Sequence, residues 1–178
     1  EFELNWVEAS AHPIGAVGLW NSMIKIIKMA KEKGDDIIVI CEDDHYFTEN
    51  YSPKLLFKEV TEAYIQGAEV LSGGIGGFGQ AIPAGYHRYK VDWFWCTQFI
   101  VIYNRFFDKM LDYSFQNTDT ADGVISKLAT NIMVIYPFIS EQKDFGYSDV
   151  TQSNMEQQGK IREHFARANK HMKSISLK

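Results

Sequence analysis

Apolar residues along this chain follow two rhythms. Leu19, Met23, Ile26, Ile27 and Ala30 recur at helical spacing, with lysines on the other face and Gly34 at the end. The run "IIVIC", residues 37 to 41, is short and β-branched, and predicts a central strand of parallel type. Ser52 and Pro53 supply an N-cap and a first-turn proline for "KLLFKEVTEAYIQG", which Gly67 closes. "AEVLSGG" predicts a short strand and "TQFIVIY" a longer one. Asn104 is placed to cap "RFFDKMLDYS". "TADGVISKLA" predicts a short helix, "NIMVIYP" a further strand, and "NMEQQGKIREHFARANKHMK" an amphipathic tail flawed at Gly159. At the front, "FELNWV" alternates like a strand already under way, so an upstream segment is expected.

Strands alternating with helices predict an α/β fold, a mixed but mostly parallel sheet flanked by helices. With 178 residues and no repeat or low-complexity linker, one main domain over residues 1–150 is expected, with a helical tail at 151–178 packed on it.

Composition narrows the functional classes. A formal charge of −5 argues against nucleic acid as the main partner, since phosphate binding needs a surplus of Lys and Arg on one face. A small phosphorylated ligand neutralised by a metal stays open. The two cysteines, Cys41 and Cys96, lack metal-type spacing and read as reduced core thiols of a cytoplasmic protein. No apolar run has the length of a transmembrane helix, and no signal peptide is visible.

The chemistry gathers after "IIVIC", where Glu42, Asp43 and Asp44 follow one another. Strand alternation would send Glu42 and Asp44 to one side and Asp43 to the other. A strand end is where open α/β sheets bind ligands, and two carboxylates suit a hard cation that takes its other ligands from water and phosphate. A solvated acidic loop accounts for the triplet alone equally well; its position favours the functional reading. His45, directly after, could reach a metal or a phosphate, although a plain surface histidine is the default reading. The other histidines are scattered.

"GGIGGFG", residues 73 to 79, matches GxGxxG at Gly74, Gly76 and Gly79, but Pro83 and Gly85 forbid the helix a pyrophosphate cradle needs. It reads as a simple turn, with a mobile loop beside a site as the alternative. Asp119 and Asp122 stand at the start of a predicted helix, either as entry acids favoured by the helix dipole with Thr120 or Asp119 as the cap, or as a carboxylate base at the sheet edge. Asp144, Phe145 and Gly146 imitate a kinase motif without its companions. Trp93, Phe94 and Trp95 read as core, while Tyr86, Tyr89 and Trp93 offer platforms for a sugar ring.

Taken in order, these motifs resemble a GT-A-type glycosyltransferase, nearest to glycosyltransferase family 25 of lipopolysaccharide assembly. Gly15 and Gly18 open a helix as in the family. "VICEDDH" is similar to its "ILEDDA" strand end, and "CTQFIVIYNRFFDKML" to its aromatic strand and short helix. Asp122, Pro137, Gln142, Ser148, Asp149 and Val150 are similar to its tail pattern. The likeness spans roughly residues 2 to 150. It departs at Asn21 and Ser22, at His45, and in the strand–helix unit with which the family opens, which has no counterpart before Phe2.

The resemblance implies sugar transfer, with inversion, from a nucleotide-sugar donor, a UDP-sugar by expectation, to a hydroxyl of a surface glycan acceptor. Mn²⁺ or Mg²⁺ would be held by Asp44, with Glu42 and His45 as further ligands. Glu42 and Asp43, with Gln142, Ser148 and Asp149, would serve the donor. Asp122, or Asp119 in its place, would be the base. Peripheral membrane association fits such a role. Competing readings are a divalent-metal phosphoester hydrolase and an inactive sugar-binding scaffold.

Overall fold

The computed structural model describes residues 4–143 and 159–176. Its elements are α1 (Gly15–Lys33), β1 (Ile37–Cys41), β2 (His45–Phe47), α2 (Pro53–Ile65), β3 (Val70–Ser72), β4 (Ala81–Pro83), β5 (Arg88–Val91), β6 (Phe99–Tyr103), α3 (Asn104–Leu111), α4 (Ala121–Leu128), β7 (Ile132–Ile135), β8 (Ser140–Gln142) and α5 (Lys160–Ser176). Six strands form one sheet in the order β1-β6-β3-β7-β5-β4, and β2 pairs with β8 in a second, small sheet.

Side-chain alternation builds a core on each face of the main sheet. Ile38 and Ile40 of β1, Val70 of β3, Ile100 and Ile102 of β6, and Ile132 and Val134 of β7 pack on one face with α1, α3, α4 and α5. Ile37 and Val39, Leu71, Phe99, Val101 and Tyr103, and Met133 and Ile135 pack on the other with Leu56 and Ala63 of α2. Every residue of β6 and β7 is buried, so these strands lie at the centre of a three-layer arrangement.

The α/β class and the flanking helices are as the sequence predicts, but the sheet is mostly antiparallel: only β3 and β7 pair in parallel. β1 and β3 do run the same way, joined through α2, yet β6 lies between them and opposes both. A strand buried on both faces is apolar throughout whichever way it points, so pattern carries no direction. Insertion of β6 also leaves β1 at the sheet edge rather than the centre, and its last residue, Cys41, is exposed rather than core. Residues 4–14 carry no strand, contrary to the reading of "FELNWV".

Caps follow the sequence with one exception. Ser52 Oγ accepts from the Leu55 N–H, and Thr120 Oγ1 from the Gly123 N–H. Gly34 and Gly67 take the left-handed conformation at φ 76° and 75°. Asn104 is not the cap of α3 but its first residue, and Tyr103 holds the cap position.

Candidate active site at the end of β1

β1 delivers the acidic triplet by one further ladder bond. The Glu42 N–H donates to Gln98 O at 3.0 Å, which continues the strand alternation by one residue. The chain then turns, with the His45 N–H donating to Glu42 O at 3.2 Å. A turn, and not the pleat expected from sequence, leaves Asp43 exposed and Glu42 and Asp44 half-buried.

Because β6 is the antiparallel neighbour of β1, the residues just before it come to lie against this turn. Thr97 Oγ1 donates to Glu42 Oε1 at 2.5 Å. Cys96 stands at φ 76°, a conformation rare for a residue with a Cβ, and its N–H donates to Asp122 Oδ2 at 3.1 Å. The other oxygen of Asp122 accepts the Gly123 N–H at 2.8 Å in the first turn of α4. From the opposite side β8 brings Gln142, whose Nε2 donates to Asp44 Oδ2 at 2.6 Å, and the Lys143 N–H donates to Asp44 O at 2.7 Å. Asp44 Oδ1 is buried and has no hydrogen-bond partner.

The electrostatics follow from enclosing like charges. Burial pushes the Glu42 carboxyl up to about 7; the Thr97 hydrogen bond opposes this, and Asp44, Asp43 and Asp122 add to it. Burial likewise raises Asp44, against the Gln142 bond and with the charge of Asp43. The Cys96 thiol is driven far up by burial and by Asp122 and Glu42, which favours its protonated form.

Glu42 thereby makes stability depend on pH. Its folded value lies above the ordinary 4.5, so its contribution is present in full below pH 4.5 and is lost as pH rises through about 7. In Glu42→Gln this loss is expected to vanish, leaving the variant more stable than the parent by about 3 kcal/mol at pH 8 and about equal at pH 4.5. Urea unfolding of both proteins across this range checks it; parallel curves would mean that Glu42 ionises normally.

Of the residues singled out by sequence, Glu42, Asp44, Asp122 and Gln142 are brought together. Asp119 is occupied elsewhere, its Oδ2 accepting the Tyr113 hydroxyl at 3.1 Å and the Gln116 N–H at 2.8 Å. His45 turns its Nδ1 to Ser140 Oγ at 2.9 Å and packs against Phe47 and Phe99. Ser148 and Asp149 lie outside the described residues. Cys96 and Thr97 were not foreseen; the signal for them is their place just before β6, which becomes informative once β6 is known to pair antiparallel with β1.

The glycine segment is a wall of this site. No helix follows it, in accord with the rejection of a dinucleotide cradle. A Cβ on Gly74 would lie 1.9 Å from Ser140 O, and one on Gly76 would lie 2.7 Å from Cys96 Sγ, so both glycines serve close packing.

No protein-family model and no curated protein matches the chain. Among solved structures it is similar to the crystal structure of apo-UDP-glucose pyrophosphorylase, with a TM-score of 0.47 and 10% identity over 86% of this chain and 61% of that one. At that level the likeness assigns no activity. The chain spans less than two thirds of that enzyme's length.

Asp44 Oδ1 is suited to a hard cation, since a buried carboxylate oxygen without a donor is costly unless a positive charge meets it. Among the described residues no three His, Cys, Asp or Glu side chains form a metal shell, and one or two carboxylates are all that this turn offers. Magnesium in nucleotide sites is held in that way, by one or two carboxylates with water and phosphate completing the octahedron. No helix among the described residues is long and apolar enough to cross a membrane.

Proposed function

We propose that this chain is a metal-dependent glycosyltransferase domain that moves a sugar from a nucleotide-sugar donor, a UDP-sugar by preference, to a hydroxyl of a glycan acceptor. The observation that carries the reading is the meeting of Glu42, Asp44 and Asp122 at one strand end, with an unpartnered Asp44 oxygen aimed at no protein donor. Asp44, with Glu42 beside it, would hold Mn²⁺ or Mg²⁺. Such an ion, when bound, offsets the charge on the departing diphosphate.

The chain's own residues do the rest. Gln142 fixes Asp44, and Thr97 fixes Glu42 toward the donor's ribose, with the exposed Asp43 assisting at the rim. Asp122 takes the proton of the acceptor hydroxyl while that oxygen bonds to the anomeric carbon. The bond from that carbon to the diphosphate oxygen breaks, and configuration inverts. Two backbone N–H bonds hold the Asp122 carboxylate for this task. Ser148 and Asp149 are assigned to donor or acceptor contacts. The reaction would take place in the cytoplasm on a surface-glycan precursor, as the resemblance to lipopolysaccharide enzymes implies.

Isothermal titration with UDP and UDP-sugars, with and without Mn²⁺, tests the reading. Nucleotide binding that requires the metal is the expected result. Metal binding without nucleotide preference would favour the phosphoester hydrolase, and absence of nucleotide binding by the full-length protein would sink the transferase.

A further inference from the structure

The aromatic residues around the glycine segment separate into two groups. Tyr89 is core, packed edge-on to Tyr136, and so is no platform. Trp95, read from sequence as core, is 46% exposed, with Trp93 beside it at 5.1 Å between ring centroids.

Trp95 is held in place rather than left loose. Its N–H donates to Gly77 O at 3.1 Å, and its O accepts the Gly76 N–H at 3.0 Å. The indole lies against Gly77, where a Cβ would come within 2.7 Å of ring atom Cε3. The His164 ring of α5 meets it edge-on at 5.5 Å. An exposed aromatic fixed by its backbone and neighbours loses little entropy on binding.

Polar groups converge next to it at Gly79. A Cβ on Gly79 would lie 2.5 Å from Asp92 Oδ2 and 2.7 Å from Trp93 Nε1, so the missing side chain lets an acceptor and an N–H donor stand side by side close against the backbone. Asp92 is itself fixed, because its Oδ1 accepts the N–H groups of Gly79, Gln80 and Trp93 at 3.1, 2.9 and 3.0 Å. A rigid indole face beside one acceptor and one donor matches a hexopyranose, whose C–H face stacks while two hydroxyls hydrogen-bond.

We propose that Trp95, with Asp92 and Trp93, forms a subsite that stacks a pyranose ring of the glycan acceptor. The word acceptor rests on the transferase reading: the next residue, Cys96, holds Asp122, the group assigned to the acceptor hydroxyl, whereas the donor diphosphate belongs at Asp44.

The test titrates the full chain with methyl glycosides of glucose, galactose and N-acetylglucosamine, followed by saturation-transfer NMR and tryptophan fluorescence, with UDP and Mn²⁺ titrated in parallel. At least one glycoside is expected to bind. Trp95→Ala is expected to weaken it by roughly tenfold or more and Trp95→Tyr much less, with UDP binding unchanged within about twofold. Trp93→Phe, which keeps a ring and removes the N–H, is expected to weaken it severalfold and decides the matter if Trp95→Ala does not fold. Glycoside binding that ignores both positions, or no glycoside binding to the parent, overturns the subsite. Equal loss of UDP and glycoside in Trp95→Ala overturns it too, by making the indole a nucleobase platform. Failure of UDP alone, with a Trp95-dependent glycoside, overturns the transferase and leaves the subsite standing.

Discussion

Arg88→Met is expected to destabilise the protein by about 3–5 kcal/mol, the largest effect of any single substitution considered. Arg88 lies on β5 and projects toward α2, where its guanidinium pairs with Glu59. Both side chains are 0% exposed. Nη1 also reaches Glu62 at 3.2 Å, and Nη2 donates to Gln66 at 3.1 Å. Met matches the length of the stem but strands the Glu59 carboxylate without a counter-charge. Glu59 Oε1 and Arg88 Nε already lack partners, so the network has no reserve donor to cover the loss. The double variant Glu59→Leu/Arg88→Met removes both charges and is expected to recover most of the loss, because a buried pair is worth little more than apolar packing of its volume. Urea unfolding of the parent, the single and the double variant reads this directly. A single variant within 1 kcal/mol of the parent, by order of magnitude, would show that water reaches the pair.

Asp44→Asn is expected to weaken metal-dependent UDP binding at least about a hundredfold while leaving the melting temperature equal or higher. The two effects have one cause. Without a ligand, Asp44 is a half-buried charge beside Asp43 and Glu42, and neutralising it relieves repulsion. With a cation, that same charge is what binds. Asn retains an oxygen to accept from Gln142, so the link to β8 survives the change. Calorimetry with UDP and Mn²⁺, together with a thermal melt, separates the outcomes. A lowered melting temperature with UDP binding intact would make the triplet a structural cluster.

The elements of the fold were legible in the sequence because each has its own local signal. Helical spacing from Leu19 to Ala30, the Ser52–Pro53 pair and the apolar runs of β1, β6 and β7 identify themselves without neighbours. Strand direction and order were not legible, since a doubly buried run such as Phe99–Tyr103 looks the same in either sense. That gap propagated into the site. The acids are legible from their place after β1, Asp122 from its place at the start of a predicted helix, and Gln142 from the family resemblance. Cys96 and Thr97 were missed because only the antiparallel β1–β6 pairing sets them beside Glu42. Trp95 was misread because composition assigns a tryptophan to the core, whereas the Gly76–Gly77 backbone holds this one at the surface.

The insertion of β6 between β1 and β3 also has a kinetic consequence. Glu42 and Thr97 are 55 residues apart in sequence, and Asp44 and Gln142 are 98 apart. Loops of that length must close before either contact forms, so both are non-local contacts of the kind that slow folding. During synthesis the acidic turn leaves the ribosome long before its partners do. Its carboxylates, neighbours in sequence, therefore wait fully hydrated and lose that water only when β6 and then β8 close over them. The burial that sets the site's electrostatics comes late, and partly folded chains should carry the same residues without the chemistry.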